Sequence, residues 1–332
     1  MGTSGYSFRD WVGPFYPEGT RNQDMLTRYA RVFPAVEINA TYYRLPSVRT
    51  FEGMARGTPP GFRFVVKLSG SLTHGAEGRV RGGRRGAGTE AVERSNSGVG
   101  LQQSLLREPA PEAGVEWGSA AEGSAAEGNS DEGNSDEGDA ADGSAADGGV
   151  TNGVAGGCRA FLGAIAPLED AGKLDGILAQ FPYRFRAGSE ERAHLEELRH
   201  RLGERPFFVE FRHESWARES TYRFLEELGV GFCVVDEPRL PGLFPPVVRQ
   251  TNDVAYFRFH GRNAERWWDG DNSTRYDYLY DEGELREWAA KIHDTAARTR
   301  QTFVFFNNCH GGSAPRNAEQ MQALLGEMYR EP

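Results

Sequence analysis

The sequence predicts an α/β protein, a single (β/α)₈ barrel with a long disordered acidic insertion after its third strand. Three observations predict it. Eight short apolar, β-rich runs alternate with amphipathic helical stretches, the pattern of βα units on a parallel sheet. Residues 75–157 are so rich in Gly, Ala, Ser, Asp and Glu that they add little to a core, which leaves 249 of the 332 residues. A barrel of this kind uses about 250. Charged and amide side chains also recur at strand ends, where this architecture gathers its functional groups. Eight strands could also form an open doubly wound sheet, but no glycine-rich phosphate loop follows the first strand and polar residues recur at many strand ends, which favours the closed barrel.

Strands are expected at 2–5, 35–39, 62–68, 175–180, 206–212, 231–236, 254–260 and 302–307. Helices are expected at 22–33, 47–57, 159–170, 190–201, 217–228, 283–298 and 315–329. The proline-rich stretch 237–253 reads as a loop or a very short helix. Ser189 before Glu190 and Glu191 reads as an N-cap with early acidic residues. Gly229, after Phe224 to Leu228, reads as a C-terminal cap glycine. The chain thus divides into a first barrel part (1–74), the insertion (75–157) and a second barrel part (158–332).

The insertion carries six five-residue repeats between Ser119 and Gly148, of the SAAEG and NSDEG type. A five-residue period fits neither helix nor strand, and small or charged residues bury too little apolar surface to offset ordering entropy. A solvated, disordered loop is the reading; an acidic interaction segment is the lesser alternative. The insertion holds 15 acidic and 6 basic residues, so it accounts for nine of the ten net negative charges. The remainder is close to neutral, and the overall acidity does not argue against an anionic ligand.

Three lysines stand against 35 arginines. With the acidic tract, this composition suggests a salt-adapted source. Cys158, Cys233 and Cys309 are widely spaced and form no CxxC pair, as expected of reduced thiols in a cytoplasmic protein. No apolar run approaches the roughly 18 residues of a membrane span, and the first residues lack the basic start and apolar stretch of a signal peptide. The sequence does not fix the oligomeric state.

The strand ends carry the chemistry. Side chains two apart on a strand share a face. Glu37 is therefore grouped with Asn39, Glu210 with Arg212, and Arg258 with His260. Lys67 nears the end of the third strand, Asp236 ends the sixth, and Asn307 and Asn308 end the eighth. Burying such groups without partners or a ligand is costly. Their convergence on one end of a barrel predicts a polar site there. The plainer reading is an internal ion-pair network in which Glu37, Glu210 and Asp236 neutralise Lys67, Arg212 and Arg258.

The opening residues Gly2 to Tyr6, with Trp11 and Phe15-Tyr16-Pro17, resemble those of the YecE-like family of proteins of unknown function. The similarity continues through Val36 to Pro46, Phe64 to Lys67 with Thr73-His74, and Gln180-Phe181-Pro182. It resumes at Val209 to Trp216, Arg258 to Gly261, and Phe306 to Asn308 with Ala314, Asn317 and Ala318. It covers nearly everything outside the insertion and implies a TIM-type barrel, but supplies no reaction. Tyr43, His74, Gln180, His213 and Trp216 lie in these motifs and join the candidates. The insertion after His74 is longer than the family pattern, and Tyr183 stands where a second proline is common. His213 and His74 read equally as ligands, general bases or hydrogen-bonded loop histidines. Cys309-His310 reads as structural. Trp267-Trp268, with Tyr276, Tyr278 and Tyr280, forms either an aromatic wall over the site or loop packing.

Three functions compete. In the first, Lys67, Arg212 and Arg258 hold a phosphate- or carboxylate-bearing small molecule, with Asn39, Tyr43, Asn307 and Asn308 as further binding residues. Glu37 or Glu210 acts as general acid or base there, with His260 assisting and no cofactor. In the second, Glu37, Glu210, Asp236 and His260 hold a divalent metal for phosphoester hydrolysis or isomerisation. The three nearby cations and the lack of HxH or HxxxH spacing weigh against it. In the third, the chain is a non-enzymatic binding module, for nucleic acid among other ligands. The arginines of 184–205 alternate with glutamates and do not make a basic stripe.

Overall fold

The computed structural model describes residues 1–73, 153–270 and 272–329. Eight parallel strands alternate with helices. They are β1 (Gly2–Thr3), β2 (Ala35–Ile38), β3 (Arg63–Lys67), β4 (Leu174–Gln180), β5 (Phe207–Glu210), β6 (Gly231–Asp236), β7 (Val254–Phe259) and β8 (Gln301–Phe306). Hydrogen bonds run unbroken from β2 through β3, β4, β5, β6, β7 and β8 to β1. The last seam closes through a parallel bridge between Ser4 and Glu37, where the Gly5 amide donates to the Glu37 carbonyl at 2.8 Å. The expected closed barrel is therefore what forms, and an open sheet is not.

The helices are α1 (Asn22–Tyr29), α2 (Ala40–Tyr43), α3 (Val48–Arg56), α4 (Gly70–Thr73), α5 (Val154–Asp170), α6 (Ser189–Leu202), α7 (Glu219–Glu227), α8 (Asn272–Arg275), α9 (Glu282–Ala296) and α10 (Ser313–Met328). The longer ones turn apolar stripes inward, with Phe51, Ile165, Leu195, Leu225, Trp288 and Met321 all buried. Residues 237–253 form a loop, as expected. Gly229 has φ of 65° and caps α7, with the Val230 amide donating to the Leu225 carbonyl at 2.9 Å.

The local sequence misleads at three places. Helix α6 starts at Ser189 itself, with Gly188 as its N-cap. A Cβ at Gly188 would lie 2.4 Å from Glu191 Oε2, so the early glutamate covers the cap position and Ser189 does not serve it. Helix α5 starts at Val154, inside the segment assigned to the insertion. Gly157 is the reason: a Cβ there would come 2.8 Å from Leu72 Cδ2, so a glycine read as linker is a close-packing residue against α4. The turns α2, α4 and α8 carry no periodicity long enough to announce them. Residues 75–152 of the insertion, and the candidate His74 before them, lie outside the described residues.

Inside the barrel, an aromatic plug fills the lower lumen. Phe208, Tyr256, Phe303 and Phe305 meet with ring centroids 4.9 Å (Phe208–Tyr256), 5.4 Å (Tyr256–Phe305) and 5.7 Å (Phe303–Phe305) apart. Phe208 fits only because β4 and β6 present glycines to it. A Cβ would lie 2.5 Å from its ring at Gly176 and 2.4 Å at Gly231. This plug is the floor on which the charged groups stand.

Candidate functional site

Alternation along each strand carries the side chains above the plug to the C-terminal mouth. On β7, Tyr256 is followed on the same face by Arg258 and then His260. On β5, Phe208 is followed by Glu210 and Arg212. Arg258 is 1% exposed and lies at the centre. Its Nη2 donates to Glu37 Oε1 at 2.6 Å and its Nη1 to Glu210 Oε2 at 2.5 Å. The other Glu37 oxygen accepts from the Tyr256 hydroxyl at 2.6 Å, so the plug holds the network from below.

Arg212 forms the next layer, at 7% exposure. Its Nε lies 2.8 Å from Glu210 Oε1, and its Nη1 donates to Glu237 Oε2 at 2.6 Å. Its Nη2 is buried with no hydrogen-bond partner among the described residues, and the same holds for Glu237 Oε1 and Asn39 Oδ1. Lys67 lies 8% exposed beside them. Its Nζ donates to Gln180 Oε1 at 2.7 Å and stands 4.1 Å over the Tyr42 ring.

His260 is wholly buried, with Nε2 3.3 Å from Glu210 Oε1 and Nδ1 3.0 Å from Asn307 Nδ2. The Asn307 amide is a donor, so Nδ1 accepts and the proton belongs on Nε2, facing Glu210.

These surroundings set the protonation states. Burial is the largest influence on Glu210 and pushes it up, but Arg212, Arg258 and His260 together outweigh it and hold the carboxyl well below its usual range. Burial, with Arg212 next, pulls His260 down to about 3, so the ring is neutral. Burial, then Arg258, pulls Lys67 down to about 7, against the opposing pull of Glu210 and Glu37. Burial raises Glu237 to about 7, with Arg212 opposing.

A loop after β7 covers this layer. Arg212 sits 5.7 Å from the Trp267 ring centroid, and Tyr276 stands 6.0 Å from the His260 ring. Trp268 packs edge-on against Tyr183 at 5.0 Å, and Tyr183 against His213 at 4.8 Å. Trp267 and Tyr276 thus lie against Arg212 and His260, while Trp268 packs on Tyr183. Tyr43 is 61% exposed on the opposite rim.

Several sequence-derived candidates fall elsewhere. Asp236 turns out of the lumen, where Arg262 grips both its oxygens at 2.8 and 2.9 Å and reaches on to Glu284 at 2.7 Å. Glu237, one residue later, takes the place expected of Asp236. The sequence around it, Phe232 to Val235, is apolar on both faces, so the alternation does not reveal its parity. Trp216 stacks 4.3 Å from Phe211 and donates to the Phe185 carbonyl at 2.8 Å, a packing role. Asn308 is buried against Asn317 (2.9 Å) and the Tyr278 carbonyl (2.8 Å) and supports the loop. The His213 Nδ1 accepts from the Ser215 amide at 3.0 Å.

No group of three or more His, Cys, Asp or Glu among the described residues is arranged to hold a metal ion. Of the four proposed ligands, Glu37 and Glu210 are committed to Arg258 and Asp236 to Arg262. The three cysteines are free thiols. No helix among the described residues is long and apolar enough to cross a membrane. Two of the arginines of 184–205 pair with nearby glutamates, Arg201 with Glu197 and Arg205 with Glu169. A cavity of about 490 Å³ opens at the opposite end of the barrel, beside Pro206, Asn252 and Arg300. Its Arg205 and Arg300 are already paired, the latter with Asp253 at 2.7 Å.

Fold and site together define a TIM-type α/β barrel with a buried cluster of charged side chains at the C-terminal ends of its strands. The chain belongs to the DUF72 family, "Protein of unknown function DUF72", whose model matches residues 1–332. It is 27% identical over 340 residues to the UPF0759 protein YunF of Bacillus subtilis (strain 168), covering 99% of this chain and 95% of that one. It is similar to the crystal structure of a DUF72 family protein from Thermotoga maritima MSB8, with a TM-score of 0.71, 36% identity and coverage of 98% and 99%. A DUF72 family protein from Enterococcus faecalis V583 shares the fold, with a TM-score of 0.69, 24% identity and coverage of 98% and 94%.

Proposed function

We propose that the strand-end chamber binds an anionic small molecule, phosphate- or carboxylate-bearing, and converts it by proton transfer. The observation that supports this best is Arg212. It is buried and ion-paired on two sides, yet one arm of its guanidinium lacks a partner among the described residues, and a buried donor left unmade is costly. An anionic oxygen entering from the mouth would take that donor, and the fork geometry suits phosphate and carboxylate alike. Lys67, with Gln180 its hydrogen-bond acceptor, would share the charge. Arg258 has a different place in this reading. Both its amino groups are occupied by Glu37 and Glu210, so it holds the two carboxylates in the lumen and leaves ligand binding to the layer above.

The same reading redistributes the acid–base work. Glu210 is held ionised, with both oxygens facing guanidinium groups, and is a poor base. Glu237, raised to about 7 with one oxygen unpartnered among the described residues, suits proton transfer near neutrality better. Glu37 orients Arg258, and neutral His260 orients Glu210. We read the YecE-like resemblance as a variant label for the same family. We place the protein in the cytoplasm, on its three free thiols. The chemistry uses the chain's own groups and no resident cofactor.

Calorimetric titration and thermal-shift screening with inorganic phosphate, phosphorylated metabolites and small carboxylates test the proposal. At least one such anion should raise the melting temperature, and Arg212→Lys, which keeps the charge but loses the fork, should weaken it about ten-fold, or roughly 1.4 kcal/mol. Equal binding by Arg212→Lys, or no response to any anion, would remove the basis of the reading.

A further inference from the structure

We propose that Lys67 is a nucleophile, and that the anionic substrate of the chamber carries an aldehyde or ketone which Lys67 captures as a Schiff base. The inference rests on the anion-binding reading for its substrate class, and on the three lysines of the chain for its chemistry.

The chain supplies its cations almost entirely as arginine, 35 against three lysines. Arginine holds an anion at least as well as lysine, but its guanidinium keeps its proton in proteins and forms no imine. A lysine retained in an arginine-rich chain therefore calls for a local reason. Lys173 has one: its ammonium donates to the carbonyls of Ala55 (2.6 Å) and Thr58 (2.7 Å) and to the Thr58 hydroxyl (3.0 Å). All three of its donors are spent closing the C-terminal end of α3, where a compact head is needed. Lys291 pairs with Glu287 at 2.7 Å on the surface of α9. Lys67 has neither role. It is buried at the end of β3, it makes no ion pair with a carboxylate among the described residues, and its hydrogen-bond acceptor is the neutral amide of Gln180.

Its surroundings suit a neutral amine. Arg258 and Arg212 face it as cations; Glu210 and Glu37, already bound to those guanidinium groups, and the Tyr42 face beneath it pull the other way, toward the ammonium. Burial and Arg258 together bring its proton affinity near neutrality, so a fraction of the amine is free to attack. The backbone at the strand end is fixed, because the Thr41 hydroxyl donates to the Lys67 carbonyl at 2.5 Å.

The step balances without an oxidant. The Nζ lone pair forms a bond to the carbonyl carbon while the C=O π pair moves to oxygen, which takes up a proton to give a carbinolamine. The C–O bond then breaks and the nitrogen lone pair forms C=N. The carbonyl oxygen leaves as water with the two hydrogens that the amine gives up. Arg212 would hold the anionic group of the same molecule meanwhile.

The test is reductive trapping of the full-length protein with borohydride in the presence of glyoxylate, pyruvate or glycolaldehyde phosphate, followed by peptide mapping. Lys67 should carry the reduced adduct with at least one of these, roughly ten-fold above Lys291 and Lys173. Lys67→Arg, whose guanidinium forms no imine, should abolish it. Labelling that favours Lys291, or no adduct at Lys67, would overturn the nucleophile. A phosphate shift that persists in that case would leave the anion site standing, and absence of both would remove both readings.

Discussion

At the scale of single residues, the lumen is organised around Arg258, which meets two carboxylates and lies almost out of reach of solvent. Removing one partner of a buried ion network is far costlier than the network is stabilising, because it strands the other charges. Arg258→Met should lower the unfolding free energy by about 3–5 kcal/mol in urea titration. The double change Glu37→Gln with Arg258→Met should recover part of that loss, since one stranded carboxylate is removed. A single variant as stable as the parent would mean that Arg258 does not hold the lumen together. Period-two spacing was enough to group Glu210 with Arg212 and Arg258 with His260, because each pair alternates with Phe or Val residues that face the helices. The same rule fails at Asp236 and Glu237, where the apolar residues on both faces of β6 hide which acid points inward. It also gives no warning that Arg262, in a loop, would claim Asp236.

At the scale of elements, the loop after β7 depends on one buried amide. Asn317, on α10, accepts from the Tyr280 amide at 3.1 Å and donates to the Tyr280 carbonyl at 3.0 Å, and it accepts from Asn308 at 2.9 Å. The Tyr280 hydroxyl in turn accepts from the Gly261 amide at 2.9 Å, where φ is 85°. Both ends of the segment bearing Trp267 and Tyr276 are thereby tied to α10. At its far end, Asp281 and Glu284 form a capping box on α9. Glu284 also accepts from Arg262 and from the Tyr278 hydroxyl at 2.8 Å. Asn317→Ala should cost about 1–3 kcal/mol, the penalty of leaving buried backbone groups unpaired. It should also speed hydrogen exchange at the Gly261 and Tyr280 amides beyond the global change. Unaltered protection there would show that the loop is held by its aromatic packing instead. The strands and the longer helices were legible because their periods run long enough to read. This clamp was not, since a polar residue in a helix looks alike whether it faces solvent or a buried loop.

At the scale of the whole molecule, the chamber writes itself into the pH dependence of folding. Glu237, raised from 4.5 to about 7, binds its proton more tightly in the folded state. Its contribution is complete below pH 4.5 and is lost as the pH rises toward 7. His260, lowered from 6.5 to about 3, acts in the opposite sense: its contribution is complete above pH 6.5 and is lost as the pH falls toward 3. Over the span they share, the two oppose each other and the slope is small. Lys67, lowered from 10.5 to about 7, binds its proton more tightly when unfolded, so stability climbs as the pH rises above 7. The Met1 amino group, lowered by burial from 8.0 to about 6, adds the same sign up to pH 8. Above pH 9.0, thiols raised by burial, Cys158 and Cys309 among them, begin to oppose the rise. Urea midpoints should therefore change little over the acidic span shared by Glu237 and His260, then increase between about pH 7 and 9. Lys67→Met should flatten that upper limb, and Glu237→Gln should steepen the acidic one by leaving His260 unopposed. A parent whose midpoint falls between pH 7 and 9, or a Lys67→Met protein that keeps the full rise, would show that Lys67 does not titrate in the buried chamber described for it.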